Sequence, residues 1–287
     1  MNEKEGATRV HLLGQSHKPD MAFEIFHENT KYFPRSFEEK LPDIMGHLFD
    51  KRRIYQNSRN YKRYSFAETI ELPEPDRIDM SLSDSLQNRK SVREFTPSTL
   101  TLQMLSTILY HSAGVNRKER NGIEKKAIFH LRTYPSAGAL YPIEIYPVLV
   151  RTDGINPCNP CVTHYNPIKH NLSIVRKEYD ITHLMEAIGD QFDKRSPSCS
   201  VVLLLTSVFQ RVTEKYQDRG YRFALMEAGF ISENISLASV GLGLGSLMLG
   251  GCMDNLVNEI IKVDGVNETF VNCLLIGHDS PHGKRKE

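Results

Sequence analysis

The sequence predicts a mixed helix-and-strand domain preceded by a helical extension, and three observations predict it. Five short runs rich in β-branched residues read as strands, helical patterns lie between them, and the last third holds a long helix that is apolar on several faces. With 287 residues, 40% of them hydrophobic, the chain can bury a sizeable core.

Residues 21–55 mix apolar and charged positions, and Pro34 and Pro42 break them into short helices. The stretch ELPEPDR (71–77) reads as a linker, since two prolines within three residues prevent a continued helix or a central strand. A boundary follows near residue 78, dividing an N-terminal helical extension (1–77) from a main domain (78–287). LSDSLQNRKS begins that domain as a short helix, and TLQMLSTILYHSAG continues it as an amphipathic one ending at Gly114. VNRKERNGIEKKA (115–127) reads as an exposed charged loop, long enough for a lid. The strands are IEIYPVLV (143–150), VTHY (162–165), LSIV (172–175), VVLLLTSV (201–208) and TFVNCLLIG (269–277). In the long helix starting near Arg222, Ala224, Ala228, Ile231, Ile235, Ala238 and Leu242 form one apolar seam, while Phe223, Phe230 and Leu237 make other faces apolar. Such a helix is buried on several sides, inside a subunit or at a dimer interface.

Composition narrows the function. Lys plus Arg (36) and Asp plus Glu (35) nearly cancel, so no global field draws the protein to nucleic acid or to an anionic membrane. The N-terminal MNEKEGATRVHLL lacks the apolar core of a signal peptide, and no apolar run reaches the length of a membrane span, which places the protein in the cytoplasm. Five cysteines without a secretion signal argue for reduced thiols.

Several stretches carry chemistry. RKSVR supplies Arg89, Lys90, Ser91 and Arg93, a phosphate-binding set if it is not simply a solvated basic helix end. In YPSAGALYP (134–142) small residues between tyrosine-proline steps let the backbone approach a planar ligand, or they form an ordinary turn. GLGLGSLMLGGC (241–252) looks like a dinucleotide-binding loop but has the wrong order, because its glycines close a helix and lead into a strand. It reads instead as a helix cap at Gly241 or Gly243 with a Gly250-Gly251 pair beyond the strand. CNPCVTHYNPIKH offers Cys158, Cys161, His164 and His170, yet the spacing fits no zinc module, and a loop with free thiols is the reading taken. Finally, Lys215 and Tyr216 stand side by side before the long helix. Both can serve one site only if the backbone turns there, and Asp218 and Gly220 offer a turn. Neither is a good base at its reference pKa of about 10, so burial or a cation such as Arg222 must lower one of them.

In this order, RKSVREF, YPSAGALYPIE, KYQDRGYRFALMEAG, GLGLGS with the later Gly-Gly, and the strand into LLIGH resemble the flavin-dependent nitroreductase superfamily. Within it they resemble the streptolysin-S-type dehydrogenases that make thiazole and oxazole rings. The likeness covers Leu82 to His278, with an echo in FHENTK (26–31), and the lysine-tyrosine pair is its more specific part. It implies an α+β fold, a central antiparallel-rich sheet wrapped by helices, and a domain-sharing homodimer with FMN across the interface. By the same resemblance Arg89, Lys90, Ser91 and Arg93 hold the FMN phosphate and ribityl chain, and Pro135, Ser136, Ala137 and Gly138 pass along the ring. Gly250 and Gly251 lie near the ring's N5 and O4 edge, Arg222 joins the cofactor contacts, and Lys215 and Tyr216 handle the proton. Many nitroreductases carry a glutamate where this chain has Gly250. The implied partners are an azoline-containing precursor peptide and the cyclodehydratase subunits of a biosynthetic complex.

Overall fold

The computed structural model describes residues 22–153, 160–177, 179–189 and 198–280. They fall into two compact units, the first ending at Glu39 and the second starting at Lys40. The chain opens with helices α1 (Ala22–Asn29), α2 (Pro34–Phe49) and α3 (Lys51–Asn57). Pro34 stands at the start of α2, where its missing N–H is not needed. Pro42 departs from expectation, since it lies inside α2 and costs one backbone bond without ending the helix. Asp50 caps α3, accepting from the Arg53 amide at 2.8 Å.

After strand β1 (Thr69–Glu71) come α4 (Leu82–Asn88), β2 (Phe95–Thr96), β3 (Leu100–Thr101) and α5 (Leu102–Ala113). The proline-rich stretch before α4 carries no regular element beyond Glu71 and is tied to α5, with the Asp76 amide donating to Thr107 Oγ1 at 3.0 Å. α5 stops at Gly114, where a Cβ would lie 2.6 Å from the Tyr110 carbonyl. The charged loop of the sequence reading is instead a hairpin: β4 (Val115–Arg120) pairs antiparallel with β5 (Ile128–Arg132). All of β4 except Val115 is exposed, so it shows none of the apolar alternation that marks a half-buried strand.

The remaining elements are β6 (Ile143–Leu149), β7 (Thr152–Asp153), β8 (Cys161–Asn166), β9 (Asn171–Arg176), α6 (Ile181–Ala187), β10 (Val201–Ser207), α7 (Gln210–Tyr216), α8 (Arg219–Gly241), β11 (Gly245–Leu249), α9 (Asp254–Ile261) and β12 (Thr269–Asp279). The main sheet runs β1-β9-β8-β6-β10-β12-β11, with β2 added on β12, and its paired neighbours are antiparallel. This is the α+β fold with a helix-wrapped antiparallel sheet.

Both faces of the central strand β10 are covered. Val201, Leu203 and Leu205 pack with Ile108 of α5 and with Ile231 and Ile235 of α8, while Val202 and Leu204 pack with Leu184 of α6 and Val257 of α9. Burying each such side chain contributes about 1.5–3 kcal/mol, which makes β10 the spine of the domain. The predicted seam of α8 is buried at Ala224, Ala228, Ile231, Ile235 and Ala238. Its other faces are not covered by this chain: Leu225, Met226 and Phe230 remain 42%, 54% and 40% exposed. α8 ends as the glycines predicted, with Gly243 left-handed at φ 72 and the amides of Gly243 and Leu244 donating back to Val240 and Ser239. No helix among the described residues is long and apolar enough to cross a membrane.

Candidate active site

The lysine-tyrosine pair occupies the last turn of α7, and the chain reverses directly after it. Gln217 takes φ 50 and ψ −143, its amide donating to the Thr213 carbonyl at 2.7 Å. The reversal therefore lies at Gln217, one residue before the expected Asp218. Gly220 serves packing, because a Cβ there would sit 2.9 Å from the Val212 backbone where α8 crosses α7. Neighbours on a helix normally diverge, but here two long side chains bend to one spot. A Cβ placed on Gly138 would meet Lys215 Nζ and Tyr216 Oη, each at 3.0 Å. Two polar side-chain tips thus converge over a glycine that is itself exposed.

Lys215 is only 6% exposed, and burial lowers its pKa. Arg222, the cation proposed to do this, is not a cause of that shift; it lies half-buried in the first turn of α8. Tyr216 packs edge-on against Phe223, with ring centroids 5.1 Å apart.

The loop that carries Gly138 is braced from below. Gly138, Ala139 and Tyr141 all have positive φ, and the Ser136 hydroxyl accepts the Tyr141 amide at 2.9 Å. Arg132 is buried and donates to Tyr134 Oη at 2.8 Å. Arg211, one turn before Lys215, donates from Nη1 to the Tyr141 carbonyl at 2.8 Å and to Glu144 Oε1 at 2.6 Å. Glu144 also pairs with His164 Nε2 at 2.8 Å. Burial opposes its ionisation, but Arg211 and His164 outweigh burial and hold the carboxyl well below the usual range. Helix α7 and the loop are thereby stapled together.

Two groups that the sequence reading missed complete the surroundings. His47 accepts from Asn57 Nδ2 on Nδ1 at 3.4 Å and donates from Nε2 to the Glu214 carbonyl at 3.1 Å, so the last turn of α7 is capped by a residue of α2. Burial, then Arg53 and Lys215, lower its pKa and so disfavour its protonated form. Glu227, on the buried face of α8, has an Oε1 without a hydrogen-bond partner among the described residues. Burial raises its pKa to about 7 against the pull of Ser136 and Arg132. His47 belongs to no recognisable motif, whereas Glu227 sits inside the KYQDRGYRFALMEAG stretch without being singled out there as a site residue. A glutamate on the otherwise apolar or small-residue seam of α8 was the one visible signal.

The basic cluster is a separate feature. Arg89, Lys90, Ser91 and Arg93 are exposed where α4 leads onto the sheet, and the Val92 amide donates to the Ser246 carbonyl of β11 at 2.9 Å. Lys90 pairs with Asp279 at 2.6 Å, while Arg89 and Arg93 form no ion pair among the described residues. Gly250 and Gly251 follow β11, exposed, and a Cβ on either would meet nothing within 4 Å. Nothing in this chain's packing demands glycine there. No hydrogen bond joins the 89–93 cluster to the 135–138 loop among the described residues.

In the CNPCVTHYNPIKH stretch, Cys158 lies outside the described residues. His164 is engaged with Glu144, and His170 bridges Ser106 and Tyr165 at 2.7 and 2.9 Å. Among the described residues no three His, Cys, Asp or Glu side chains gather as a metal would require.

The nitroreductase family model matches residues 86–278, which spans the loop, α7, α8 and β11 together. The chain belongs to the nitroreductase family. A Methanocaldococcus jannaschii protein named for that family, MJ1384, is 35% identical over 198 residues, covering 69% of this chain and 92% of that one. The Escherichia coli microcin B17-processing protein McbC is 31% identical over 134 residues, covering 46% of this chain and 49% of that one. Among solved structures, a chain of the E. coli microcin synthetase McbBCD complex with truncated pro-MccB17 bound superposes with a TM-score of 0.56 at 19% identity, covering 92% of this chain and all of that one. This last likeness concerns the fold. Nitroreductase-family proteins are oxidoreductases and generally bind flavin.

Proposed function

We propose that this nitroreductase-family protein is an FMN-dependent dehydrogenase that oxidises thiazolines or oxazolines in a peptide to thiazoles or oxazoles. The observation that carries this reading is the convergence of Lys215 Nζ and Tyr216 Oη on Gly138. Similarity to McbC, named for processing microcin B17, supports it.

The residues present suit the cofactor. Arg89 and Arg93, exposed and outside any ion pair among the described residues, supply guanidinium groups for the phosphate, with Lys90 and Ser91 beside them. Pro135, Ser136, Ala137 and Gly138 give a low wall for a planar ring, and Gly250 and Gly251 leave open space that side chains would fill. Arg222 adds a cation at the start of α8. When bound, FMN supplies the two-electron acceptor for the hydride that the azoline ring gives up.

The protein manages the other hydrogen. Burial raises the neutral fraction of Lys215, so its Nζ accepts the ring C–H proton, and Tyr216 Oη, delivered to the same point, orients the ring by hydrogen bonding. Arg211 and His47 fix α7 from its two sides, keeping both tips over Gly138. A homodimer would cover Leu225, Met226 and Phe230 of α8 and Leu82 and Leu86 of α4, all exposed in one chain. It would also bring the 89–93 cluster of one copy to a loop of the other. The precursor peptide and cyclodehydratase subunits are the partners such a reaction requires, and the cytoplasm is the compartment that suits them.

The test is oxidation of a synthetic thiazoline peptide. Lys215→Ala and Tyr216→Phe are expected to stay yellow while losing roughly 10²- to 10⁴-fold in rate; near-normal turnover in both removes the pair from the chemistry. The 35% identity to MJ1384 over most of its length favours a second reading, an NAD(P)H-dependent nitro- or quinone-reductase. Rapid flavin reduction by NADPH that is indifferent to Lys215 and Tyr216 would establish that reading instead.

A further inference from the structure

Away from the site around Gly138, a cleft of about 370 Å³ opens at the β1 end of the main sheet. Its floor is formed by β1 and β9, where Thr69 stands opposite Ser173, and its rim by Lys169 in the turn between β8 and β9. The strap of residues 61–67 makes the remaining wall. That strap is fixed rather than loose: Lys62 Nζ donates to Glu268 Oε2 and to Tyr146 Oη, both at 2.6 Å.

The chemistry of the lining is one-sided. Arg63 and Lys169 face the cleft and, among the described residues, no aspartate or glutamate lines it. Neither cation belongs to an ion pair among the described residues, and the Arg63 guanidinium is held 4.3 Å over the Tyr61 ring. On the floor, Asn171 is 4% exposed and donates from Nδ2 to Glu71 Oε1 at 3.0 Å. Its Oδ1 is buried with no partner among the described residues. An unpaired acceptor calls for an N–H or O–H donor, as unsatisfied buried polar atoms cost about 1–3 kcal/mol.

We propose that this cleft binds an extended, carboxylate-bearing segment of the peptide substrate, its side-chain carboxylate on Arg63 and Lys169 and a backbone N–H on Asn171 Oδ1. This rests on the reading of the protein as a peptide-modifying enzyme. A phosphomonoester dianion would satisfy the cations but offers no donor to Asn171, whereas a peptide supplies both. The position also fits. Tyr61 and Ile168 line both the cleft and a water-sized space of about 20 Å³ that is also lined by Ala139 and Tyr141, in the loop that presents Gly138. A peptide held in the cleft is therefore anchored behind the loop where the proposed chemistry occurs.

The experiment uses the flavin-loaded full chain and two fluorescein-labelled decapeptides, one alternating Asp and Ser, the other Lys and Ser, followed by fluorescence anisotropy at low and moderate salt. The acidic peptide is expected to bind, the basic one to bind far more weakly, and the Arg63→Ala/Lys169→Ala double variant to lose about tenfold or more of the acidic peptide's affinity. Both substituted side chains are exposed and outside any ion pair among the described residues, and turnover of a small thiazoline lacking peptide arms is expected to stay unchanged in the variant. Equal affinity in the variant, equal binding of the two peptides, no binding by the native chain, or displacement by millimolar inorganic phosphate would each overturn the proposal. If the acidic peptide binds through Arg63 and Lys169 while no thiazoline is oxidised, the cleft stands and the dehydrogenase reading falls.

Discussion

Replacing Glu227 by glutamine tests the electrostatics beneath the loop. The carboxyl lies on the buried face of α8, 2% exposed, and burial raises its pKa from 4.5 to about 7. A carboxyl raised on folding is held preferentially as the neutral acid, so its contribution is fully present below the unfolded value of about 4.5 and is lost as pH rises through about 7. At about 1.4 kcal/mol per pH unit, the gap between those two values corresponds to about 3 kcal/mol of folding stability lost on going from acid to alkaline conditions. Glutamine has the same shape and cannot ionise. Glu227→Gln is therefore expected to resemble the native protein near pH 4 and to exceed it by up to about 3 kcal/mol near pH 8.5. Urea unfolding at a series of pH values, with one protein concentration and saturating FMN throughout, measures the difference while keeping ligand and subunit linkage constant. A stability difference that stays flat within about 0.5 kcal/mol across that range would refute the claim that Glu227 is buried as the neutral acid.

Three further outcomes are expected. Arg89→Ala should weaken FMN retention on dialysis by about tenfold or more, as loss of a guanidinium–phosphate contact does, and full retention would reduce the cluster to a surface feature. Phe230→Glu, on the exposed face of α8, should yield a folded protein that sediments as a monomer; Ala228 is unsuited to this test, being 4% exposed against its own core. His47→Ala should lower the turnover rate without changing flavin content or KM, and His47→Gln, which retains a donor for the Glu214 carbonyl, should recover part of it; loss of flavin in both would show a general folding defect.

How far the sequence discloses this molecule depends on whether a residue's partner is near in sequence. The strands at 143–150 and 201–208 are legible because both of their faces are buried, so apolar composition alone marks them, and in 269–277 the same holds from Cys273 on. The Gly243 cap is legible because a left-handed position at a helix end selects glycine locally. The hairpin of β4 and β5 is not, since β4 is paired through backbone atoms while its charged side chains face water. Pro42 misleads for the opposite reason: a single lost bond is a local penalty, and the rest of α2 outweighs it.

The site shows the same division. Lys215 and Tyr216 stand out as a pair, yet their adjacency argues against a shared target until the reversal at Gln217 and the exposed Gly138 are seen. What brings them together is supplied from elsewhere: Arg211 ties α7 to the loop, and His47 caps α7 from a segment outside the region that the family model matches. This separates the general from the particular. The fold, the glycines and the loop suit any flavin reductase of the family, whereas a lysine held largely from water beside a tyrosine, and clamped by a helix preceding the family domain, suits proton removal. If the clamp serves this chemistry, then shortening the chain to residues 86–278 should leave a protein unable to perform it even where flavin still binds.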